Sequence, residues 1–386
     1  MNYRTQIVGS LSEIGQATWD TLVSHHAEAN PFLSFAFLHA LHESGCVSPD
    51  TGWQPQYLTL WQADTLVAAL PLYLKFHSYG EYVFDWAWAD AYHRHGLEDY
   101  PKLLSAIPFT PIAGPRLLAR DAAAQAALIE ALCELRHASG TSSAHILFPS
   151  QTQAIELNAA GFMLRTGVQF HWINAGYENF EQFLSTLEHK KRKNIRAERR
   201  KVSEAGVHFR HVTGADATDA DWRFFYGCYA HTYAEHHSSP YLSVDFFRQI
   251  GIAMPQNILL IIAERDGRSI ASSLLIHNEN TLYGRYWGAL EHVPCLHFET
   301  AYYQPLEFCI ERKIRCFEGG AQGEHKMARG FLPQKTWSAH WLAHPSFANA
   351  IERFLERESG GIESYLDELN ERNPFKPALE NRILIP

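Results

Sequence analysis

The chain has 386 residues, of which 46% are hydrophobic and 19% are charged, and its formal net charge at pH 7 is −9. This composition, with 23 Phe, 17 Tyr and 10 Trp, excludes a disordered chain, and the negative charge excludes a general affinity for nucleic acid. Single cores stop growing at ~250 to 300 residues, so we expect two domains. No stretch approaches the ~20 apolar residues of a membrane-spanning helix, and the start lacks the layout of a secretion signal, so we expect a soluble, cytoplasmic protein.

Two parts of the chain repeat one pattern of helix and strand signals. PFLSFAFLHAL at 31–41 and PYLSVDFFRQI at 240–250 share Pro, Leu, Ser and aromatic positions at helical spacing. Each is followed by two strands around a tight turn, at 56–74 and 257–277, and then by a third strand, EYVFDWAWA or TLYGRYWGA. A helical region and a further strand close each repeat. This order predicts one α/β unit used twice, and it is similar to the layout of the GNAT acetyltransferase fold.

We place the domain boundary where a predicted strand, QFHWIN, passes through a glycine into a helix start. The predicted domains are residues 1–175 and 176–386. The second domain ends in a helical tail over 345–373, which Gly360 and Gly361 are expected to divide into two helices.

Four longer motifs carry a resemblance to a known family. LKFHSYGEYVFDWAWADAY, IPFTPIAGPRLL, LHFETAYYQ and FEGGAQGEHKMARGFLP resemble the FemAB-like predicted N-acyltransferases over nearly the whole chain. That family is similar to the Fem peptidyltransferases, which move an amino acid from aminoacyl-tRNA onto an amine of a peptidoglycan precursor. The resemblance implies an α/β (α+β) fold of two tandem GNAT-like domains, each a mixed, mostly antiparallel sheet flanked by helices. The chain departs from the Fem enzymes in lacking their long inserted helical hairpin, so their particular tRNA contact is not implied.

The run KKRKNIRAERRK at 190–201 carries eight of the 33 basic residues, on a predicted helix over 180–205. The run's own charge of +7 leaves −16 on the rest of the chain, so any polyanion must bind locally. Such a run is either a solvated face that balances an acidic surface or a phosphate site. A phosphate site is compatible with the negative net charge, because within a screening length of ~8 Å the clustered cations dominate distant acids. With the resemblance, tRNA becomes a possible partner. The candidate polyanion-binding residues are Lys190, Lys191, Arg192, Lys193, Arg196 and Arg200.

The glycine-rich stretch GGAQGEHKMARG directly follows a predicted strand and holds the candidate catalytic residues. Lys326 is the first choice to stabilise an oxyanion or hold a neighbouring phosphate. Glu324 or His325 could accept the proton of an amine near neutral pH. The alternative is a loop whose charges only pair with one another.

Further polar residues beside these motifs are candidates for binding substrate. In the first domain, Asp85 would lie among small side chains on a strand, or it would pair with an arginine such as Arg94 or Arg116. In the second domain, the strand TLYGRYWGA sets an aromatic ring between glycines, and LHFE marks either a site edge or a helix cap. The candidates are Asp85, Tyr286, Arg285, His297, Glu299, Arg329, Glu81 and His77.

Residue spacing and turn composition bear on a metal site and on the acyl donor. The histidine pairs lack companion ligands at a diagnostic spacing, and six scattered cysteines suggest no thiolate site, so we expect no metal and no required cofactor. The turn GALEHVPCLHFE has no glycine after Gly288 and contains Glu291 and Pro294, which disfavours the pyrophosphate of acyl-CoA. The sequence therefore favours an N-acyltransferase using another donor, for which the resemblance implies aminoacyl-tRNA, and an amine-bearing peptide or small-molecule acceptor. The alternatives are an acyl-CoA-dependent N-acetyltransferase and a non-catalytic binding protein on the same fold.

Overall fold

The computed structural model describes residues 3–83, 88, 98–320 and 323–376. Backbone contacts divide the chain into two compact units, each built from two stretches of sequence. The N-terminal unit comprises residues 1–167 and 335–365, and the C-terminal unit comprises 168–334 and 366–386. The domain boundary at residues 175 and 176 remains a prediction. The division into compact units follows backbone contacts, whereas the predicted boundary marks the limit of a repeated sequence pattern, and the two need not coincide.

The N-terminal unit alternates short helices with short strands. Its helices are α1 Gln16–Ser24, α2 Phe35–Glu43, α3 Ala122–Ala138 and α4 Gln151–Ala159. Its strands are β1 Arg4–Val8, β2 Trp53–Pro55, β3 Tyr57–Gln62, β4 Thr65–Leu70, β5 Tyr73–Lys75, β6 Lys102–Ser105, β7 Leu118–Ala119 and β8 Ser143–Leu147. The next strand, β9 Met163–Ile173, leads into the C-terminal unit.

The C-terminal unit carries the longer strands. Its helices are α5 Phe180–Thr186, α6 His189–Glu204, α7 Asp219–Glu235, α8 Val244–Ala253, α9 Leu296–Phe298 and α10 Gln304–Arg312. A π-helical turn Glu299–Tyr303 joins α9 to α10, and a 3₁₀ helix spans Glu324–Arg329. Its strands are β10 His208–Thr213, β11 Ile258–Arg265, β12 Arg268–His277, β13 Thr281–Ala289 and β14 Cys316–Glu318. The chain ends with β15 Leu332–Leu342 and α11 Pro345–Glu371.

The repeated sequence pattern folds as a repeated structure. Ser34 and Ser243 occupy the same place in PFLS and PYLS, and each caps the next helix by accepting a hydrogen bond from a backbone N–H three residues on. Each helix precedes an antiparallel hairpin, β3–β4 or β11–β12. In the second hairpin, Asp266 and Gly267 both have positive φ, as a two-residue turn matched to strand twist requires. The predicted α/β unit therefore occurs twice.

In the N-terminal unit, one sheet has the strand order β1-β3-β4-β7, and a second set is ordered β15-β8-β6-β5-β2. Within that set β6 and β8 are parallel, and the other pairs are antiparallel. The core between strands and α3 is aliphatic and fully buried, and includes Leu58, Leu70, Leu128 and Ile146. This burial is the main stabilising term of the unit.

In the C-terminal unit the strand order is β10-β11-β12-β13-β14-β9. All pairs are antiparallel except β13 with β14. Helix α7 packs so closely on β13 that a Cβ at Gly288 would lie 2.1 Å from the backbone oxygen of Cys228. Glycine is therefore required at this position.

Two helix predictions were wrong in detail. The predicted helix over 180–205 is two helices, because Leu187 is extended and fully buried, where its backbone pairs with that of Phe375. The predicted division of the tail does not occur, since α11 runs through Gly360 and Gly361 without a break. A glycine inside a helix costs about 1 kcal/mol relative to alanine, which is not enough to end it.

Candidate functional site

The strands β13 and β14 diverge shortly after they meet. In the part of the chain that the structure describes, they pair only at three positions, the last joining Tyr283 to Glu318. Beyond it, β13 continues through a bulge at Arg285, which has no partner in the register with β12, while the other strand ends in Gly319 and Gly320. We call the opening between Gly284–Tyr286 and Glu318–Gly320 the β13–β14 cleft.

The side chain of Lys326 reaches this cleft from the 3₁₀ helix. It is 3% exposed, and its Nζ donates a hydrogen bond to the backbone oxygen of Gly320 at 3.0 Å. A Cβ at Gly319 would lie 3.3 Å from Cδ of the lysine, so the glycines allow this approach. Burial lowers the pKa of Lys326 to about 8. Within the described residues the ammonium has no carboxylate partner, so two of its N–H donors are available.

A carboxyl group and an imidazole lie side by side near the mouth of the cleft. Glu318 and His171 are opposite each other on β14 and β9, and Glu318 Oε2 is 3.8 Å from His171 Nε2. Burial raises the pKa of Glu318 to about 8, against the opposing effect of Arg285. Burial, aided by the charge of Lys326, lowers the pKa of His171 to about 4. At neutral pH the imidazole is therefore uncharged.

The same face holds a group that could ligate a metal. One ligand atom from each of His171, Cys316 and Glu318 lies within 4.8 Å of the others. Among the described residues, this is the group of three such side chains that is close enough to hold a metal ion. Burial and the nearby Glu318 raise the pKa of the Cys316 thiol. Neither histidine pairs nor CxxC spacing reveals this group, because the pairing of β14 with β9 brings its members together from distant parts of the chain.

His325 and His297 lie on an aromatic surface next to this region. His325 Nε2 is 3.3 Å from the hydroxyl of Tyr302, and the two imidazole rings are 6.5 Å apart. The ring of His297 packs at a tilt against Trp287, with ring centroids 4.7 Å apart, and burial lowers the pKa of His297 to about 4. Burial also lowers the pKa of His325. His297 lines a cavity of 510 Å³ at the end of β13, together with Phe298.

Arg329 is held internally. It is 5% exposed, its Nη2 donates to both carboxylate oxygens of Glu198 at 3.0 and 2.9 Å, and its guanidinium lies 3.5 Å from the ring of Phe298. The hydroxyl of Tyr303 donates to the same carboxylate. These contacts join α6 to the helix that carries Lys326.

Glu299, the other predicted substrate-binding residue of this region, also has an internal partner. It is 3% exposed and accepts hydrogen bonds from Arg199, whose guanidinium also bonds Glu307. The three charges lie on α6, the π-helical turn and α10, so they connect three elements. A π-helical turn is a frequent feature of functional sites.

The remaining predicted residues of the C-terminal unit are spread around the cleft. Glu324 is exposed and lies 3.4 Å from Arg372, so the 3₁₀ helix directs it away from Lys326. Arg285 donates to the hydroxyl of Tyr286 at 3.1 Å, and the ring of Tyr286 packs on Tyr229. Arg285 and Tyr286 are both half-buried.

The predicted residues of the N-terminal unit form a separate cluster. Glu81 is 5% exposed, with Oε2 3.0 Å from Nζ of Lys102 and Oε1 4.0 Å from Nζ of Lys75. His77 is half-buried and accepts a hydrogen bond from the backbone N–H of Tyr79. Asp85 lies outside the described residues, and so does Arg94. Arg116, its other suggested partner, is fully buried and bonds four backbone carbonyl groups, those of Gly114, Pro115, Leu147 and Ile112.

The basic run forms most of α6, which docks through buried Ile195 and Val202. On the outer face, Arg196 pairs with Glu181 and Arg200 with Glu204. Lys190, Lys191 and Lys193 have no ion pair with any residue that the structure describes. A surface depression of 310 Å³ is lined by His189, Arg192, Lys193, Arg196, Ala197 and Arg200.

The repeated hairpin units and the diverging parallel strands define a tandem GNAT-like fold, as the sequence predicted. The chain belongs to the FemAB-like family, whose model, described as peptidoglycan biosynthesis/recognition, matches residues 10–377. It is similar in structure to FemX, with a TM-score of 0.56, 10% identity, and coverage of 90% of this chain and 100% of FemX. It is also similar to the C-terminal domain of a putative lysylphosphatidylglycerol synthetase from Agrobacterium fabrum (TM-score 0.54, 10% identity, 90% and 97% of the two chains). L-PGS from Bacillus licheniformis gives a TM-score of 0.54 at 9% identity, over 88% and 97% of the chains.

No curated protein sequence matches the chain. Across the residues placed by the structure, none of the helices has the length and apolar character needed to span a membrane.

Proposed function

We propose that this protein is an N-acyltransferase that moves an activated acyl group onto an amine in the β13–β14 cleft. The observation that carries the proposal is the buried ammonium of Lys326, fixed by one hydrogen bond at the edge of two diverging strands. Acyl transfer places negative charge on the carbonyl oxygen, and a preorganised donor in a water-poor site stabilises that charge strongly. The family and fold, which are those of N-acyltransferases, support the same activity.

The proposed donor is an aminoacyl ester, with aminoacyl-tRNA as the leading form. The support is the outer face of α6, where cations line a depression large enough for a phosphate group, and the similarity to FemX. The turn after β13 still lacks a glycine that would cradle a pyrophosphate, although Glu291 there is paired with Arg265 and Arg268 and so repels an anion less than its sequence suggests. The proposed acceptor is a peptide or small-molecule amine, and the family description favours a peptidoglycan-related one.

The test is product formation by the purified chain with labelled aminoacyl-tRNA or labelled acetyl-CoA, each offered with an amine-bearing muropeptide and with simple amines. We expect amide formation from the aminoacyl ester, and its loss in Lys326→Met. Transfer only from acetyl-CoA would replace the proposed donor by the thioester. Binding of tRNA without any product would support a non-catalytic binding protein instead.

A further inference from the structure

Several buried side-chain polar atoms of the described residues lack a hydrogen-bond partner, and two of them face each other across β14 and β9. Glu318 Oε2 and His171 Nε2 each have no hydrogen bond within the part of the chain that the structure describes, although the two side chains are only 12% and 14% exposed. The 3.8 Å between them is too long for a hydrogen bond. Buried polar atoms without partners are rare because each costs desolvation energy. Because the two atoms lie side by side, one ligand group with two hydrogen-bond donors can bridge them from one side.

The charges around the pair limit what that ligand is. Arg285 on β13 acts on Glu318, and Lys326 on the 3₁₀ helix acts on His171. The remaining titratable groups here are the thiol of Cys316 on β14 and the phenol of Tyr283 on β13, both with a raised pKa and therefore neutral. With its proton on Nδ1, the neutral His171 offers Nε2 as an acceptor beside a carboxyl group that ionises near neutral pH, and two cations act on the pair.

A divalent metal ion fits this setting poorly. The atoms of His171, Cys316 and Glu318 are close enough to converge on an ion. However, an ion there would be repelled by Lys326 and Arg285, and it would require the deprotonation of a thiol whose pKa is raised. An amine needs no thiolate, and its ammonium form brings a single charge that it gives up as a proton to Glu318, after which its N–H groups donate to both acceptors.

We propose that Glu318 and His171 form the binding site of the acceptor amine, and that Glu318 is the base that takes the amine's proton. This inference rests on the proposed function and deepens it. The acceptor arrives as R–NH₃⁺ and gives one proton to the Glu318 carboxylate, while His171 Nε2 accepts a second N–H and orients the lone pair. The nitrogen forms a bond to the acyl carbon, and the oxyanion faces Lys326. The bond from the acyl carbon to the ester oxygen then breaks, a second amine proton leaves with that oxygen as the alcohol, and Glu318 releases its proton to water.

The experiment compares Glu318→Gln with the wild type in the transfer assay, and uses Cys316→Ser as a matched control on the same strand and face. We expect Glu318→Gln to lower kcat at least about 100-fold, as the loss of a general base does, and to leave donor binding unchanged. The rise of kcat/KM with pH, present in the wild type, should disappear. In Glu318→Ala, added acetate should restore part of the activity by acting as an external base. Cys316→Ser should retain wild-type rates, with or without EDTA.

Each result that contradicts these expectations leads to a different conclusion. Equal rates and equal pH profiles for Glu318→Gln and the wild type would overturn the assignment while leaving the acyltransferase function intact. Loss of activity in Cys316→Ser, or with EDTA, would overturn it in favour of a metal. If the wild type transfers nothing, the proposed function fails. Calorimetric binding of the amine alone then still tests whether Glu318 and His171 form its binding site. This assignment is supported if Glu318→Gln weakens that binding at least tenfold, and it is refuted if the two proteins bind equally.

Discussion

Replacing Lys326 by methionine should make the protein more stable and less active. Methionine keeps the length of the side chain and removes a charge that is 97% buried by area. The pKa of the ammonium falls from 10.5 to about 8 because burial disfavours its charged form, and each pKa unit corresponds to about 1.4 kcal/mol. The folded protein therefore carries a penalty of about 3 kcal/mol at pH 7. Losing the hydrogen bond to Gly320 costs about 1 kcal/mol, so the variant should gain about 2 kcal/mol.

The sign of the pH dependence follows from the same shift. Below pH 8 the lysine is protonated in both states, and the penalty is fully present. Between pH 8 and 10.5 the folded state has lost its proton while the unfolded state keeps one, so the wild type becomes more stable relative to the variant as the pH rises. The advantage of Lys326→Met should therefore shrink by about 3 kcal/mol on going from pH 7 to above pH 10.

Urea unfolding at both pH values measures this difference, and the transfer assay measures the loss of catalysis, which should be about 100-fold or more. Lys313→Met removes an exposed ammonium from the same unit and should change neither quantity. A variant that is less stable than the wild type at pH 7, or whose advantage is independent of pH, would show that Lys326 is not a buried cation. Full activity in a stable variant would remove it from the mechanism.

Three other changes test separate parts of the structure. Replacing Lys190, Lys191 and Lys193 by glutamine should reduce the slope of log binding constant against log salt for tRNA by up to about 3, while Arg223→Gln, an exposed control, leaves it unchanged. Gly288→Ala should destabilise the C-terminal unit by more than about 3 kcal/mol in urea unfolding, since its methyl group overlaps the backbone of α7. Glu198→Ala should cost about 2 to 3 kcal/mol because it leaves Arg329 buried without its partner, and adding Arg329→Met should recover part of that loss.

Local sequence signals predicted the repeated architecture well. The helices at PFLSFAFLHAL and PYLSVDFFRQI, the two hairpins and the strand β13 are each determined by neighbouring residues, so a single sequence is enough to find them. The predicted strand EYVFDWAWA is wrong where the structure describes it, since Tyr82 and Val83 form a bend and Trp88 is helical, and its other residues lie mostly outside the described part. The break after α5 was not predictable in this way, because the extended conformation of Leu187 accompanies pairing with Phe375, almost 190 residues later.

The candidate site shows the same division between local and distant information. The glycine-rich stretch was found from its composition, but in a 3₁₀ helix with three residues per turn, Glu324 and Lys326 point in different directions, one exposed and one buried. His171 was missed, since its importance comes from the pairing of β9 with β14 across almost 150 residues. The available signal was a lone histidine in the apolar strand QFHWIN, which by itself more often indicates a core residue.

The contacts of α6 also change how its charge should be interpreted. Arg199 and Glu198 reach inward, to Glu299 and to Arg329, and so help to hold the elements that carry Lys326. A polyanion on the outer face would compete with Glu181 for Arg196, an exposed pair worth less than about 1 kcal/mol, but it would not displace the buried pairs. Neutralising the entire run would therefore confound binding with folding. Only substitutions confined to the outer face separate the two, and for this reason Arg199 must be left intact in any test of polyanion binding.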